Sequence, residues 1–128
     1  MESSGIVIEI GDDVKSFSID DNVIIGGKTG SFAEEIVVTD DLLRLKPNIL
    51  NWEQAASFTV AYLTAYVALV CRGNIENGES LLVHGAAGGV GLAAVDLGMH
   101  YGAKVIATSA SSSTVSYTHL TLPTNREV

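Results

Sequence analysis

The sequence predicts an α/β protein in which a meander of short strands is followed by the first strand–helix–strand unit of a doubly wound parallel sheet. Three observations indicate this architecture. Before residue 47 the apolar residues form short β-branched runs between turn residues. After Pro47 they follow longer, helical patterns. A glycine-rich run, HGAAGGVG at residues 84–91, then lies between a short apolar strand and a helix, and a second strand follows.

Composition and charge exclude several classes of protein. The chain has 128 residues and 47% apolar content, which suits one ordinary domain with a core. Its net charge of -8, with ten of the fifteen acidic residues before residue 47, disfavours binding to nucleic acid or to an anionic membrane. Charged residues interrupt the apolar runs, so we expect no membrane-spanning helix. Because Cys71 is the single cysteine, we expect no disulfide and a reducing, cytoplasmic location.

The first predicted domain, residues 1–46, is a meander of strands. Alternating β-branched stretches occur at residues 5–11, 22–27, 34–39 and 42–47, and turn-forming residues separate them. The acidic residues of this region come mostly as adjacent pairs, which is typical of solvated loops and strand edges. We expect this region to form one small sheet.

The second predicted domain, residues 47–114, begins with a long helix. Asn51 is a suitable N-cap, acidic and amide side chains fall in the first turn, and Gly73 ends the helical pattern. Thr59 and Val60 interrupt the good helix formers, which predicts a helix in two pieces. A strand at 80–85, a helix that is capped by Gly102 and a strand at 104–110 complete the domain. Such a unit makes the two strands parallel neighbours joined by a right-handed crossover.

The glycine-rich run carries a dinucleotide-binding fingerprint. Ala86, Gly88 and Gly91 occupy the three positions of G-x-G-x-x-G, with alanine in the first place, and Gly85 and Gly89 add conformational freedom. The motif needs a small residue for the tight turn, a glycine where the backbone approaches the pyrophosphate, and a glycine where helix packs on strand. The phosphates would bind the N–H groups that open the helix. We therefore predict a pyrophosphate loop of Ala86, Ala87, Gly88, Gly89, Val90 and Gly91, with a purely structural turn as the alternative.

The end of the second strand indicates which dinucleotide binds. NAD enzymes place an acidic residue roughly twenty residues after the motif, where it binds the ribose hydroxyls. This sequence has ATSASSS there, with hydroxyls at Ser109, Ser111, Ser112 and Ser113 and no acid. An acid would repel a 2′-phosphate and hydroxyls can donate to one, so NADPH is favoured. The alternative is a plain polar loop, because no Arg or Lys completes the site.

From Glu2 to about Thr114 the sequence resembles the zinc-independent quinone oxidoreductase branch of the medium-chain dehydrogenase/reductase superfamily, which includes ζ-crystallin. The resemblance rests on ESSGIVIEIGDDVKSFSIDDNVI, GSFAEEIVV, AASFTVAYLTAYVAL and GESLLVHGAAGGVGLAAVDLGMHYGAKVIATSAS. Asp20 stands where the family usually has glycine, and Glu35 where it has tyrosine. We expect both at exposed positions.

The resemblance implies a GroES-like β domain and a Rossmann domain, both partial here, with a cleft in which NADPH gives hydride to a quinone or an activated alkene. It implies that Thr64 lies near the nicotinamide and that the protein is a homodimer. The residues alone favour a bond from the Thr64 hydroxyl to its own helix instead. Catalytic residues are not assigned.

The same superfamily contains zinc-dependent alcohol dehydrogenases, and the sequence argues against that class. A catalytic zinc needs three protein ligands, and Val60 stands where the late cysteine ligand would fall. We expect Cys71, His84 and His100 to be structural, and no metal site. The alternatives that stay open are an enoyl-thioester reductase, including those of polyketide synthases, and a non-catalytic NADPH-binding or structural protein of the ζ-crystallin kind.

Both ends of the chain depart from the family pattern. Met1 falls inside a segment that continues upstream in relatives, and residues 115–128, VSYTHLTLPTNREV, match a translated sequencing adapter. We expect the tail to be foreign, with a genuine disordered extension as the alternative. We also expect the 128-residue chain by itself to be marginally folded and not to turn over NADPH, because two strands and one crossover helix leave most of a doubly wound sheet uncovered.

Overall fold

The computed structural model describes residues 2–27 and 30–109. The chain forms two compact units, Met1–Val60 and Ala61–Val128. The predicted domain boundary after residue 46 stays a prediction. The boundary between the two units falls inside the long helix that follows. The proposed tail, residues 115–128, lies outside the described residues.

The first unit contains a three-stranded antiparallel sheet. Its strands are β1 (Glu2–Ile6), β2 (Asn22–Gly26) and β3 (Leu43–Leu45), in the order β1-β2-β3, and a short 3-10 helix (Asp40–Leu42) precedes β3. The central strand β2 buries three consecutive residues, Val23, Ile24 and Ile25. Val7 joins Val23 and Ile25 in the core of this unit, and partly buried side chains pack around them: Phe17, Ile36, Val38 and Leu43.

Two predicted strands differ from the structure. The strand predicted at residues 5–11 is β1 at Glu2–Ile6, because the pairing from Glu2↔Gly26 to Ile6↔Asn22 spans the whole of β2. Residues 34–39 do not form a strand. This segment contributes its alternating Ile36 and Val38 side chains to the core, while its backbone does not pair with the sheet.

The long helix begins as predicted and is continuous where a break was expected. Helix α1 (Trp52–Tyr66) starts with a capping box, in which Gln54 N–H donates to Asn51 Oδ1 at 2.7 Å and Asn51 N–H donates to Gln54 Oε1 at 3.0 Å. The helix passes through Thr59 without interruption, and Thr59 Cγ2 would lie 3.3 Å from a Cβ on Gly26 of β2. Packing on the sheet therefore overrides the low helix propensity of the β-branched pair.

Beyond Tyr66 the helix widens into a π-helical segment (Val67–Arg72) before it ends. Gly73 N–H donates to Ala68 O at 2.8 Å, a bond that spans five residues, so Gly73 ends the helix as predicted.

The combined helix Trp52–Arg72 has 21 residues and is long and apolar enough to cross a membrane by length and composition. No charged residue lies between Glu53 and Arg72, so the premise that charges interrupt every apolar run was wrong for this helix. Apolar core helices of soluble proteins meet the same criterion, and the expected absence of a membrane partner stays a prediction.

The second unit contains the predicted strand–helix–strand arrangement. Strands β4 (Ser80–His84) and β5 (Lys104–Thr108) are parallel, in register from Ser80↔Lys104 to His84↔Thr108, and α2 (Gly89–His100) connects them. One face of this two-stranded sheet packs against α2 through a core of Val83, Ala86 and Val95. The α/β class predicted from the sequence is confirmed.

Candidate functional site

The glycine-rich run forms a tight turn between β4 and α2. Gly85 has a φ of +66°, a left-handed conformation that favours glycine, and Gly88 N–H donates to Gly85 O at 3.0 Å across the turn. Gly88 is the N-cap of α2, with extended backbone angles (φ -80°, ψ 162°). The motif places Ala86 in the tight-turn position, but Gly85 provides the left-handed residue, and Ala86 is buried in the core instead.

Two of the motif glycines differ in what a side chain would meet. At Gly91 a Cβ would lie 2.3 Å from Gly85 O and 2.8 Å from Ala86 Cα, so only glycine fits where the helix passes the turn. At Gly88 a Cβ would lie 3.4 Å from Gly85 O, an ordinary contact. Gly88 is also exposed. Folding therefore requires glycine at position 91, whereas Gly88 leaves room for a ligand.

The first turn of α2 presents backbone donors to that open side. The first intrahelical bond is made by Leu92 N–H, which donates to Gly88 O at 2.8 Å. The N–H groups of Gly89, Val90 and Gly91 precede it and point out of the helix end, where the helix dipole is positive. The first turn of α2, which is fully described, contains no acidic residue. This arrangement suits an anionic ligand such as a phosphate.

The carboxyl ends of β4 and β5 meet beside this turn. Ala86 N–H donates to Thr108 O at 2.9 Å, and His84 Nδ1 lies 3.0 Å from Thr108 Oγ1. Ser109 follows β5 and is exposed at the same edge. Ser111, predicted with it as a cofactor-binding residue, lies outside the described residues, as do Ser112 and Ser113.

Helix α1 brings Thr64 towards the start of α2. A Cβ on Gly89 would lie 3.8 Å from Ala61 Cβ, so this part of α1 runs beside the first turn of α2. Thr64 is exposed and lies three residues after Ala61, which puts the two on the same side of the helix. Thr64 is thus about one helical turn from the point where α1 passes α2, and its place beside the cofactor stays a prediction.

Tyr62 and Asp96 connect the same two helices. Tyr62 O–H donates to Asp96 Oδ2 at 2.8 Å. Partial burial, together with this hydrogen bond and the charge of Asp96, raises the pKa of Tyr62 to about 12. The sequence did not predict this bond, because no local pattern pairs a residue of α1 with one 34 positions later.

The remaining candidate ligands are dispersed. Among residues 2–27 and 30–109, no three His, Cys, Asp or Glu side chains are grouped so that they could hold a metal ion. Cys71 is exposed, and His100 makes an edge-to-face contact with Tyr101 at 5.5 Å between ring centroids. The expected absence of a metal site stays a prediction. The sequence did not predict the contact between His84 and Thr108. Its only signal was that His84 lies near the end of a predicted strand.

The chain is similar to known proteins in sequence and in structure. No protein-family model matches the sequence. The chain is 42% identical over 97 residues to the human synaptic vesicle membrane protein VAT-1 homolog, covering 76% of this chain and 25% of that protein. It is 43% identical over 110 residues to a quinone oxidoreductase-like protein 2 homolog of Nematostella vectensis, covering 84% of this chain and 30% of that protein.

Solved structures give the same result. The Escherichia coli quinone oxidoreductase, solved in complex with NADPH, is 32% identical with a TM-score of 0.77, over 90% of this chain and 36% of that one. The enoyl reductase CurK is 32% identical with a TM-score of 0.82, over 91% of this chain and 35% of that one. The chain thus spans about a quarter to a third of the length of the proteins it matches.

Proposed function

Because the chain belongs to the medium-chain dehydrogenase/reductase superfamily, in the group of quinone oxidoreductases and enoyl reductases, we propose that it is part of a zinc-independent oxidoreductase that uses NADPH to reduce a quinone or an activated alkene. The observation that carries this proposal is the turn between β4 and α2. Gly91 admits no side chain, Gly88 is open to a ligand, and the first N–H groups of α2 face the space beside it.

The residues of this loop fit a dinucleotide pyrophosphate. The backbone N–H groups of Gly89, Val90 and Gly91 would hold the phosphates, while Ala86, Ala87 and Gly88 shape the approach. Thr64 would lie on the nicotinamide side, and the hydroxyls of Ser109 and Ser111 on the adenosine ribose. When bound, NADPH would supply the hydride. The chain's own contribution is to orient the cofactor by fixed backbone donors that need no rearrangement on binding.

The zinc-independent part of the proposal rests on the sequence. Val60 stands at the position of the late cysteine ligand of zinc-dependent relatives. Without a metal to polarise the acceptor, hydride transfer depends on positioning and on hydrogen bonds to the developing oxyanion.

The decisive experiment is a cofactor and substrate assay on an intact protein that carries this sequence. We expect oxidation of NADPH with a quinone or an enone, slower oxidation of NADH, and no loss of rate after treatment with a metal chelator. Absence of any NADPH binding would contradict the proposal. NADPH binding without turnover of any quinone, enone or enoyl thioester would instead favour a non-catalytic protein.

An enoyl-thioester reductase is the second candidate. The similarity to CurK, with a TM-score of 0.82, favours it as a specific alternative within the same chemistry. The same assay separates the two candidates, because a higher kcat/KM with an enoyl thioester than with any quinone would identify the thioester as the substrate class.

A further inference from the structure

His84 and Thr108 form a pair at the carboxyl edge of the parallel sheet. They are register partners in β4 and β5, and His84 Nδ1 lies 3.0 Å from Thr108 Oγ1. Side chains alternate along a strand, so this pair lies on the face opposite Val83 and Ala107, which pack with α2. Both side chains are exposed and stand directly before and beside the candidate phosphate loop.

The hydrogen bonds of Thr108 orient the imidazole. Thr108 Oγ1 donates a long hydrogen bond, 3.5 Å, to Val83 O. The shorter contact with Thr108 occupies Nδ1 and leaves Nε2 as the ring nitrogen that a ligand would meet.

His84 is also the only ionisable side chain among the described residues at this edge. In residues 80–91 and 105–109 every other side chain is apolar, a hydroxyl or absent. Lys104 starts β5 and is therefore four residues from Thr108, at the opposite end of the sheet. The titratable residues of α2, Asp96 and His100, lie in its second half. A phosphate that arrives at the end of β5 thus meets one side chain able to carry positive charge.

We propose that His84, oriented by Thr108, binds the 2′-phosphate of NADPH through Nε2–H and sets the preference for NADPH over NADH. This inference rests on the proposed function. With Nδ1 on Thr108 Oγ1, a protonated ring would donate from Nε2 to the phosphate, and the uncharged ribose 2′-hydroxyl of NADH offers no such pairing of opposite charges. The site would thus favour the phosphorylated ribose without an Arg or Lys among the described residues 80–91 and 105–109.

Calorimetric titration of the intact protein with 2′,5′-ADP and with 5′-AMP tests this proposal. We expect His84→Gln to weaken 2′,5′-ADP binding about tenfold, as for loss of one charge-assisted hydrogen bond, and to change 5′-AMP binding less than about twofold. Thr108→Val should give a smaller loss in the same direction. His100→Gln is the matched control and should change neither affinity.

Imidazole ¹⁵N shifts of the unmodified protein provide a measurement that does not depend on a variant that folds. We expect 2′,5′-ADP to change the Nε2 signal of His84 and 5′-AMP to leave it nearly unchanged. An equal loss for both nucleotides in His84→Gln, or an unchanged His84 signal on adding 2′,5′-ADP, would overturn this inference and leave the proposed function intact. If neither nucleotide binds the unmodified protein, the proposed function fails as well.

Discussion

The sheet of the first unit and the strand–helix–strand arrangement of the second are held together in different ways. In the first, large side chains decide the packing, since β2 buries Val23, Ile24 and Ile25 between its neighbours. In the second, the packing depends on glycines, which have no side chain. A Cβ on Gly91 would lie 2.3 Å from a backbone oxygen, and one on Gly98 would lie 2.5 Å from Leu81 Cδ2. The candidate site lies where backbone approaches backbone.

This difference explains how a chain with few candidate catalytic side chains can have a ligand site. The first unit uses its apolar side chains for packing. Its exposed acidic pairs indicate no ligand. The second unit presents main-chain N–H groups, which any residue has, in a position that only glycine permits. The comparison therefore predicts that a methyl group has opposite effects on stability at Gly91 of the second unit and at Gly5 of the first.

The largest effect is expected for Gly91→Ala. Its methyl group would overlap Gly85 O, a backbone atom that cannot move without breaking the turn, so we expect a loss of about 3 kcal/mol in the free energy of unfolding. Urea denaturation of the intact protein measures it. Gly5→Ala in β1 is the control, because nothing lies within 4 Å of its Cβ, and it should stabilise by about 0.5 kcal/mol. Similar losses at both positions would contradict the proposed difference between the units.

Gly88→Ala should separate binding from folding. Its Cβ would lie 3.4 Å from Gly85 O, so stability should change by less than about 1 kcal/mol. The methyl group would occupy the side from which a phosphate approaches, and we expect about tenfold weaker NADPH binding. Fluorescence titration with NADPH and a thermal melt on the same sample measure the two quantities. Unchanged affinity would show that the phosphate does not approach Gly88.

Tyr62→Phe should have a smaller, pH-dependent effect. The pKa of Tyr62 in the folded chain is about 12, above the ordinary 10.0, because of partial burial and then the bond to Asp96. The stabilisation is therefore fully present below pH 10 and is lost as the pH rises towards 12. We expect Tyr62→Phe to cost about 1 kcal/mol at pH 8 and to remove this part of the pH dependence.

Urea unfolding at pH 8 and pH 11 tests the Tyr62 prediction, with Asp96→Asn as the matched variant. The asparagine keeps an acceptor and removes the charge, so it should lower the pKa of Tyr62 and cost less at pH 8. A spectrophotometric titration that finds the same tyrosinate curve in both proteins would refute the role of Asp96.

The smallest effect is expected in the first unit, at Asp20. This residue is exposed, as expected, has a φ of +72° and takes the place of a family glycine. Asp20→Gly should raise the free energy of unfolding by about 0.5 kcal/mol, since relief of the left-handed conformation is partly offset by backbone entropy. Asp13→Gly, where φ is not positive, is the control and should lower it. Equal changes at both positions would argue against strain at Asp20.

Several elements were predictable because their signals are local. The capping box at Asn51 and Gln54 involves residues three apart, and the turn at Gly85 to Gly88 follows from glycine spacing. The strand expected at residues 34–39 shows the limit of such signals. Its alternation is real, since Ile36 and Val38 pack against the core, but alternation indicates which side chains are buried and not whether the backbone pairs with a neighbouring strand.

The sequence by itself determined the order of the elements, the helix caps and the glycine fingerprint, because propensity, capping and periodicity act over a few residues. Tertiary structure alone decided three further features: that α1 runs unbroken through Thr59, that Tyr62 bonds to Asp96, and that His84 meets Thr108 at the sheet edge. Each depends on residues that are 24 or more positions apart or on packing against another element. Such pairs are fixed by the register and the close approach of packed elements, which no local pattern encodes.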